Sequence, residues 1–411
     1  MFFRARHFIG ELISIGCGNP VSYISNWMMY VFIAFTGILV LFYSLLILYY
    51  HWAWERIPVS PVHPAADQPV ASRFPFPVKV SVIIPARNEE EQIDRCLESI
   101  LNQSYPADLT EVIVVNDFST DETASRVARF QKVRLLNLSD GVGENGLNAY
   151  KKKAIETGIA AASGELIICT DADCTADPEW IVTMVQAYQN GSDMIAGPVK
   201  ITTDHSALSV FQALDFISLQ GITGAAVYKN LYPMCNGANL AYRREAFHAV
   251  QGFRDIDHIA SGDDMLLMRK MQMQFPGKTV YLKNLKAIVS TGPAANLSSF
   301  FHQRIRWASK ISHYKHPATF ITLALVYALN LCLLLLFGFS FFYPTWHWLI
   351  LLLVLKTFAE FFFVSGVANF FDQRPLMKYF IFCQPFHIIY TVIAGTFGLF
   401  GKYKWKGRVV K

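Results

Sequence analysis

The chain has 411 residues, 53% of them hydrophobic and only 16% charged, with a formal charge of +5. A soluble enzyme carries about a quarter charged residues, so the composition argues against a wholly soluble chain; with no long basic block, nucleic acid is not an expected partner. The seven cysteines (Cys17, Cys96, Cys169, Cys174, Cys235, Cys332 and Cys383) lack paired metal-ligand spacing and read as small buried hydrophobes in a reducing compartment.

After a tail of residues 1–26, the stretch 27–50 is nearly free of charge and long enough to cross a bilayer, which takes about 20 apolar residues. It ends in Tyr49-Tyr50-His51-Trp52, aromatics that suit a membrane interface and not a cleavage site, so it reads as a retained anchor. Residues 51–78, rich in proline between Ile57 and Pro77, read as a linker. Residues 79–299 have the mixed composition of a soluble domain large enough for a full core. Lys79 to Pro85 is a short apolar run typical of a buried strand. In Glu89 to Gln103, Ile93, Leu97 and Ile100 recur at helical spacing. The pattern continues as a strand (Glu111 to Val115), a helix (Thr120 to Phe130), a strand (Val133 to Leu138), a helix (Ala149 to Ala162) and a strand (Glu165 to Thr170). This alternation predicts an α/β fold of right-handed β-α-β units on a mostly parallel sheet.

Ligands of such sheets bind at the carboxyl ends of the strands. There the sequence places Pro85-Ala86-Arg87-Asn88-Glu89, Asn116-Asp117 and Asp171-Ala172-Asp173, which should converge on one crevice. The plainer reading of any one of them is that Asn and Asp end strands because they make turns. Residues 300–317 alternate aromatic and basic side chains, the pattern of a helix lying in a membrane interface. A membrane region of residues 318–401 follows, with apolar runs at 320–343, 346–368 and 379–400, and then a basic tail of residues 402–411. Lys356 and Glu360 share one helix face, can pair, and are expected to point into the bundle. The run 379–400 contains Gln384, Pro385, His387, Gly395 and Gly398. If it crossed, the basic tail would lie outside, against the positive-inside tendency, so it is expected to be re-entrant or to pack on its neighbours. Arg304, Arg306, Lys310 and Lys315 fit a cytosolic placement of the domain before them.

Between Val80 and Trp307 the motifs, taken in order, resemble those of the family 2 glycosyltransferases, which have the GT-A fold. Val82-Ile-Ile-Pro-Ala-Arg-Asn-Glu-Glu90 is similar to the family's first strand and nucleotide loop, and Asn116-Asp117 to its second acidic motif. Lys152-Lys153 is similar to its helix start beside the donor, Asp171-Ala-Asp173 to its metal motif, and Gly262-Asp263-Asp264 to its base motif. Gln303-Arg-Ile-Arg-Trp307 matches the QxxRW signature of members acting on polysaccharide or lipid acceptors. The resemblance implies that Pro85, Ala86, Arg87 and Lys153 lie beside a nucleotide-sugar donor and that Glu89 and Asp117 accept hydrogen bonds from a uridine base. It implies that Asp171 faces the nucleotide and that Asp173 ligates a divalent cation, Mg²⁺ or Mn²⁺. Arg306 would clamp the leaving pyrophosphate, Trp307 would form part of the acceptor pocket, Gln303 would belong to the same catalytic signature, and Asp264 would be the general base of an inverting transfer. Two departures stand out: Asn116 replaces a frequent aspartate, and Gly-Asp-Asp replaces the usual Glu-Asp, so the base falls on Asp264 or its neighbour Asp263. Lys151 to Lys153 also fit a solvated helix face, and Asn236-Gly237-Ala238-Asn239 fits either an acceptor-side loop or a plain turn.

The implied function is transfer of a sugar, with a UDP-sugar as expected donor, to a membrane-associated lipid or saccharide. The implied setting is a multi-pass protein of the inner or plasma membrane with a cytosolic catalytic domain. A processive polysaccharide synthase and a catalytically dead binding protein are the competing readings. A transporter fits poorly, because few spans surround a large soluble domain.

Overall fold

The computed structural model describes residues 20–59, 76–138, 149–259, 262–309, 316–400, 403–405 and 408–410. Most of the N-terminal tail, most of the proline-rich stretch, Lys310, Lys315 and the side chains of the basic tail lie outside the described residues.

Helix α1 (Pro20–Glu55) is apolar all round and buries one of its sides. Val40, Tyr43 and Ile47 are buried, whereas Leu41, Phe42 and Leu45 are exposed, as for a helix with one side against protein and the other toward lipid. It continues past the expected end of the anchor. Trp54 is fully buried, edge-on to Tyr281 at 5.9 Å, and its carbonyl accepts a hydrogen bond from Lys283 Nζ at 2.8 Å. The first residues of the expected linker are therefore a helix end seated against the sheet domain. Tyr50, expected at a membrane interface, is buried and hydrogen-bonded to Tyr232 at 2.7 Å.

The domain then follows the expected alternation: β1 (Val80–Ala86), α2 (Ile93–Leu101), β2 (Thr110–Asn116), α3 (Thr123–Val127), β3 (Val133–Asn137), α4 (Tyr150–Ala161) and β4 (Leu166–Cys169). Val82, Ile83 and Ile84 are all fully buried, because a central parallel strand is covered on both faces. After β5 (Thr175–Ala176) come α5 (Trp180–Gln189), β6 (Met194–Ala196), β7 (Val199–Ile201), α6 (Ala207–Tyr228), β8 (Leu240–Arg243), α7 (Arg244–Ala249), α8 (Asp263–Gln274), β9 (Thr279–Tyr281), β10 (Val289–Thr291) and α9 (Leu297–Ser309). Seven strands form the main sheet in the order β3-β2-β1-β4-β8-β6-β9. Only β8 runs against its neighbours, so the sheet is mostly parallel, as expected. A small sheet, β5-β10-β7, flanks it. Gly164, in the turn before β4, has no room for a side chain, since a Cβ would stand 2.6 Å from Ser81 N. Glu111 ties this turn by accepting from Gly164 N–H at 3.1 Å, from Ser163 N–H and from the Ser81 hydroxyl.

The C-terminal region holds α10 (Pro317–Phe339), α11 (Trp346–Phe370), α12 (Phe380–Phe400) and a two-stranded hairpin, β11 (Tyr403–Trp405) and β12 (Arg408–Val410). Among the described residues five helices are long and apolar enough to cross a membrane, one more than the four expected. The addition is α6, 83% buried over its most apolar window. It lies between the sheets and the bundle, touching β7 and β9 on one side and α1 and α11 on the other. Its polar residues are spent inside the protein. Gln220 accepts from Val199 N–H at 3.0 Å, and Gln212 exchanges hydrogen bonds with the backbone of Ala294. Helix α12 also stays close to the domain. Gln373, before it, donates to Ile201 O at 2.8 Å. At its far end Gly398 packs so closely on α9 that a Cβ would stand 2.6 Å from that of Ala308.

Candidate active site

The loops after β1 and β2 are laced together. Asn88 and Phe118 both take left-handed backbone (φ 50°), uncommon for residues other than glycine. Asn88 Oδ1 accepts from Thr120 N–H at 2.9 Å, and Asn88 N–H donates to Ser119 Oγ at 3.1 Å. Asp121 accepts from Glu90 N–H and Thr123 N–H; burial works against its charge, but these hydrogen bonds prevail and hold its pKa below the ordinary carboxylate value. Arg87 reaches across to the carbonyls of Asp117 at 2.8 Å and Phe118 at 3.1 Å, while Asp117 N–H donates to Ala86 O. Pro85, Ala86, Arg87, Glu89 and Asp117 thus form one pre-built corner.

The third loop, after β4, carries Asp171 and Asp173. Asp171 Oδ1 accepts from Lys151 Nζ at 2.6 Å, and the same nitrogen lies 3.7 Å from Asp263 Oδ2. Burial opposes the charge of Lys151, yet Asp171 and Asp263 together hold its pKa above the ordinary lysine value. Lys153, selected from the sequence, is half exposed and 4.0 Å from Glu156 on its own helix. The lysine that enters the site is Lys151; two residues on an α-helix differ by about 200° in direction, so the two cannot share a face. Lys152 instead bonds the carbonyls of Ile256 and Ile259.

Asp173 is exposed; it accepts from Thr291 Oγ1 at 3.2 Å and from Cys174 Sγ at 3.4 Å. Among the described residues no three His, Cys, Asp or Glu side chains are grouped to hold a metal ion. Asp173, with one exposed carboxylate, is the oxygen ligand that the chain offers at this loop.

The adjacent aspartates at the start of α8 part ways. Asp263 turns toward Lys151. Asp264 accepts from Met265 N–H at 2.8 Å and Gly237 N–H at 3.2 Å and lines a cavity of ≈ 410 Å³ shared with Asn236 and Trp307. The Asn236–Asn239 loop therefore borders the same cavity through Asn236 and holds Asp264 through Gly237. Asn239 itself is a buried brace, donating to Pro198 O and Ala287 O and accepting from Trp180 Nε1.

Helix α9 brings Gln303, Arg306 and Trp307. The residue between them that sequence reasoning passed over as one of several surface basic groups is Arg304. It is buried, donates to Asp215 Oδ2 of α6 at 2.7 Å and to Gln303 Oε1 at 3.1 Å, and lies 4.2 Å from the ring centre of Trp307. Tyr390 of α12 donates to the other oxygen of Asp215. Lys356 and Glu360, expected to pair within the bundle, do so at 2.6 Å; Lys356 also donates to Gln384 Oε1 at 2.9 Å, and Tyr43 donates to Glu360 at 2.5 Å. Of the cysteines, five of the six described are buried and all six are free thiols; Cys17 lies outside the described residues.

Residues 81–251 match the family model described as Glycosyl transferase family 2. The glycosyltransferase AglE of Haloferax volcanii is 30% identical over 200 residues, 48% of this chain and 61% of that protein. A poly-beta-1,6-N-acetyl-D-glucosamine synthase of Staphylococcus epidermidis is 25% identical over 232 residues, 56% of this chain and 53% of that one. A 4,4'-diaponeurosporenoate glycosyltransferase of Staphylococcus aureus is 33% identical over 154 residues, 37% of this chain and 39% of that one. The chain thus spans between about two fifths and three fifths of the length of these curated relatives. Among solved structures, the mannosyltransferase PcManGT from Pyrobaculum calidifontis, in complex with GDP-Man and Mn²⁺, superposes with a TM-score of 0.53 at 19% identity, covering 89% of this chain and 98% of that one; the likeness is one of fold. Family match, fold likeness and curated relatives agree on one point: residues 81–251 form a domain similar to those of glycosyl transferase family 2, on a GT-A-like fold.

Proposed function

We propose that the protein moves a sugar from a nucleotide-sugar donor to a membrane-associated lipid or saccharide, with inversion at the transferred carbon. The observation that carries this reading is Lys151, which stands between Asp171 of the donor loop and Asp263 of the base motif. It draws the donor side and the acceptor side into one cleft. The corner of Pro85, Ala86, Arg87, Glu89 and Asp117 would hold the nucleotide, with a uridine base as its expected occupant. Relatives named as a poly-beta-1,6-N-acetyl-D-glucosamine synthase and a 4,4'-diaponeurosporenoate glycosyltransferase support the reading of a sugar transferase.

Asp264 would take the acceptor hydroxyl proton. Its carboxylate faces the cavity, oriented by two backbone N–H groups, as a general base must be. Arg306 would meet the departing diphosphate as a fixed positive charge, and Trp307 would form a flat apolar wall for the acceptor. Asp173, exposed and made of hard oxygen ligands, would hold a Mg²⁺ or Mn²⁺ ion, with Asp171 beside it. When bound, such an ion neutralises charge that develops on the diphosphate.

The chain is further inferred to sit in the inner or plasma membrane with the sheet domain in the cytosol. Helix α12 would then rest along the domain without crossing, a reading supported by its contacts at Gln373, Tyr390 and Gly398. The test is release of nucleoside diphosphate from a panel of nucleotide sugars by enzyme in lipid nanodiscs with added lipid extract. Metal-dependent turnover with one donor is expected, together with its loss in excess chelator and in Asp173→Ala. Full turnover in chelator would refute the metal role, and silence with every donor would refute transfer.

A further inference from the structure

The cavity beside Asp264 does not stop at the catalytic domain. Its wall also includes Tyr43, Glu360, Gln384 and His387 from α1, α11 and α12. Between these polar groups it is apolar, with Leu46, Ile47, Leu214, Ile222, Leu323 and Val326. A volume of ≈ 410 Å³ is in the range of sites that hold one small, mostly apolar ligand. The lining unites a candidate general base with residues of helices apolar enough to cross a membrane.

Its charge is lopsided. Among the described residues three carboxylates line it, Asp215, Asp264 and Glu360, against a single Lys or Arg, Arg304. That arginine is already committed to Asp215, and the nearby Lys356 to Glu360. Glu360 keeps a second oxygen, Oε2, buried with no hydrogen-bond partner among the described residues. A carboxylate oxygen can only accept, so a ligand that complements this wall brings a donor.

Resting on the transferase reading above, we propose that the acceptor is an uncharged, hydroxyl-bearing lipid whose body occupies this cavity, and not a lipid phosphate. A phosphate would enter an apolar space lined by three carboxylates, beside Arg304 and Lys356 that are already salt-bridged to Asp215 and Glu360. Like-charge juxtaposition of that kind discriminates against such ligands. A hydroxyl would instead offer its proton to Asp264.

The experiment is native mass spectrometry of the full chain released from detergent micelles, titrated with 1-oleoylglycerol or with oleoyl lysophosphatidic acid. The two share chain and glycerol and differ by the phosphate. One adduct per protein is expected for oleoylglycerol, at least about tenfold tighter than for the lysophosphatidic acid. Ser218→Phe and Ala394→Phe, two wall substitutions on different helices, should each reduce that adduct about tenfold while nucleotide-stimulated thermal stabilisation persists. Equal or tighter binding of the phosphate would overturn the proposal, as would absence of any saturable adduct or indifference to both substitutions. Donor hydrolysis, measured on the same preparation, reports separately on the transferase reading.

Discussion

Removing Arg304 should expose how the QxxRW helix is held. Its guanidinium and the Asp215 carboxylate are 2.7 Å apart with side chains only 3% and 2% accessible. At an effective dielectric near 20, two unit charges at that spacing attract by about 6 kcal/mol. Desolvation offsets much of this, so the pair is close to neutral for stability, but loss of one partner strands a buried charge at a cost of about 3–5 kcal/mol. Arg304→Met should therefore destabilise by that amount, and Asp215→Leu by a similar one. The double variant should recover most of the loss. Thermal unfolding in nanodiscs, followed by near-ultraviolet circular dichroism of the tryptophans, gives the order of the variants. Activity should not recover with stability. Arg304 also packs over Trp307 at 4.2 Å, and a desolvated cation–π contact of about 2 kcal/mol corresponds to roughly thirtyfold in rate. A double variant as unstable as the worse single one would refute the compensated-pair argument; one with full turnover would refute the link to Trp307.

The two aspartates of α8 should separate by role. Asp264→Asn should bind donor within a few-fold of wild type yet lose transfer at least about a hundredfold, measured by product formation; an active Asp264→Asn with a dead Asp263→Asn would move the base to Asp263. Lys151→Met should weaken donor binding in calorimetry, whereas Lys153→Met should leave it nearly unchanged. Glu111 has its pKa held below the ordinary value of 4.5: burial opposes its charge, and hydrogen bonds from Ser81, Ser163 and Gly164 overcome that. It therefore stabilises the fold above its unfolded pKa and loses that contribution as pH falls through its folded pKa. Glu111→Gln should destabilise most near pH 7 and progressively less below about pH 4, and a deficit independent of pH would count against this. A cysteine placed at Lys411 should resist an impermeant thiol reagent in intact cells; labelling would mean that α12 crosses.

The strands β1 to β4 and the helices between them were legible because apolar periodicity and strand-end polar residues state the same pattern twice. The acidic loops could be placed at one sheet edge for the same reason. Lys151 was not legible, since Lys151, Lys152 and Lys153 are equivalent until the phase of α4 is known. Helix α6 was hidden by Gln212, Asp215 and Gln220, which lower its apolar contrast; their partners, Ala294, Arg304 and Val199, are distant in sequence. Arg304 was masked by its basic neighbours. Only the tertiary partner Asp215 distinguishes a buried guanidinium from a surface one.

Helix α6 touches the sheets on one side and the bilayer-length helices α1 and α11 on the other, and α1 itself ends inside the domain at Trp54. Among the described residues the bilayer-length helices and the sheets are thus packed directly on one another through α6 and the end of α1. A change in bilayer thickness tilts apolar helices at a cost of fractions of a kcal/mol per Å. Here such a tilt would press on the layer that carries Asp215 and, through Arg304, on the wall of the site. Lipid composition would act on this enzyme as a mechanical input to catalysis, felt at Trp307 without any lipid having to enter the cavity.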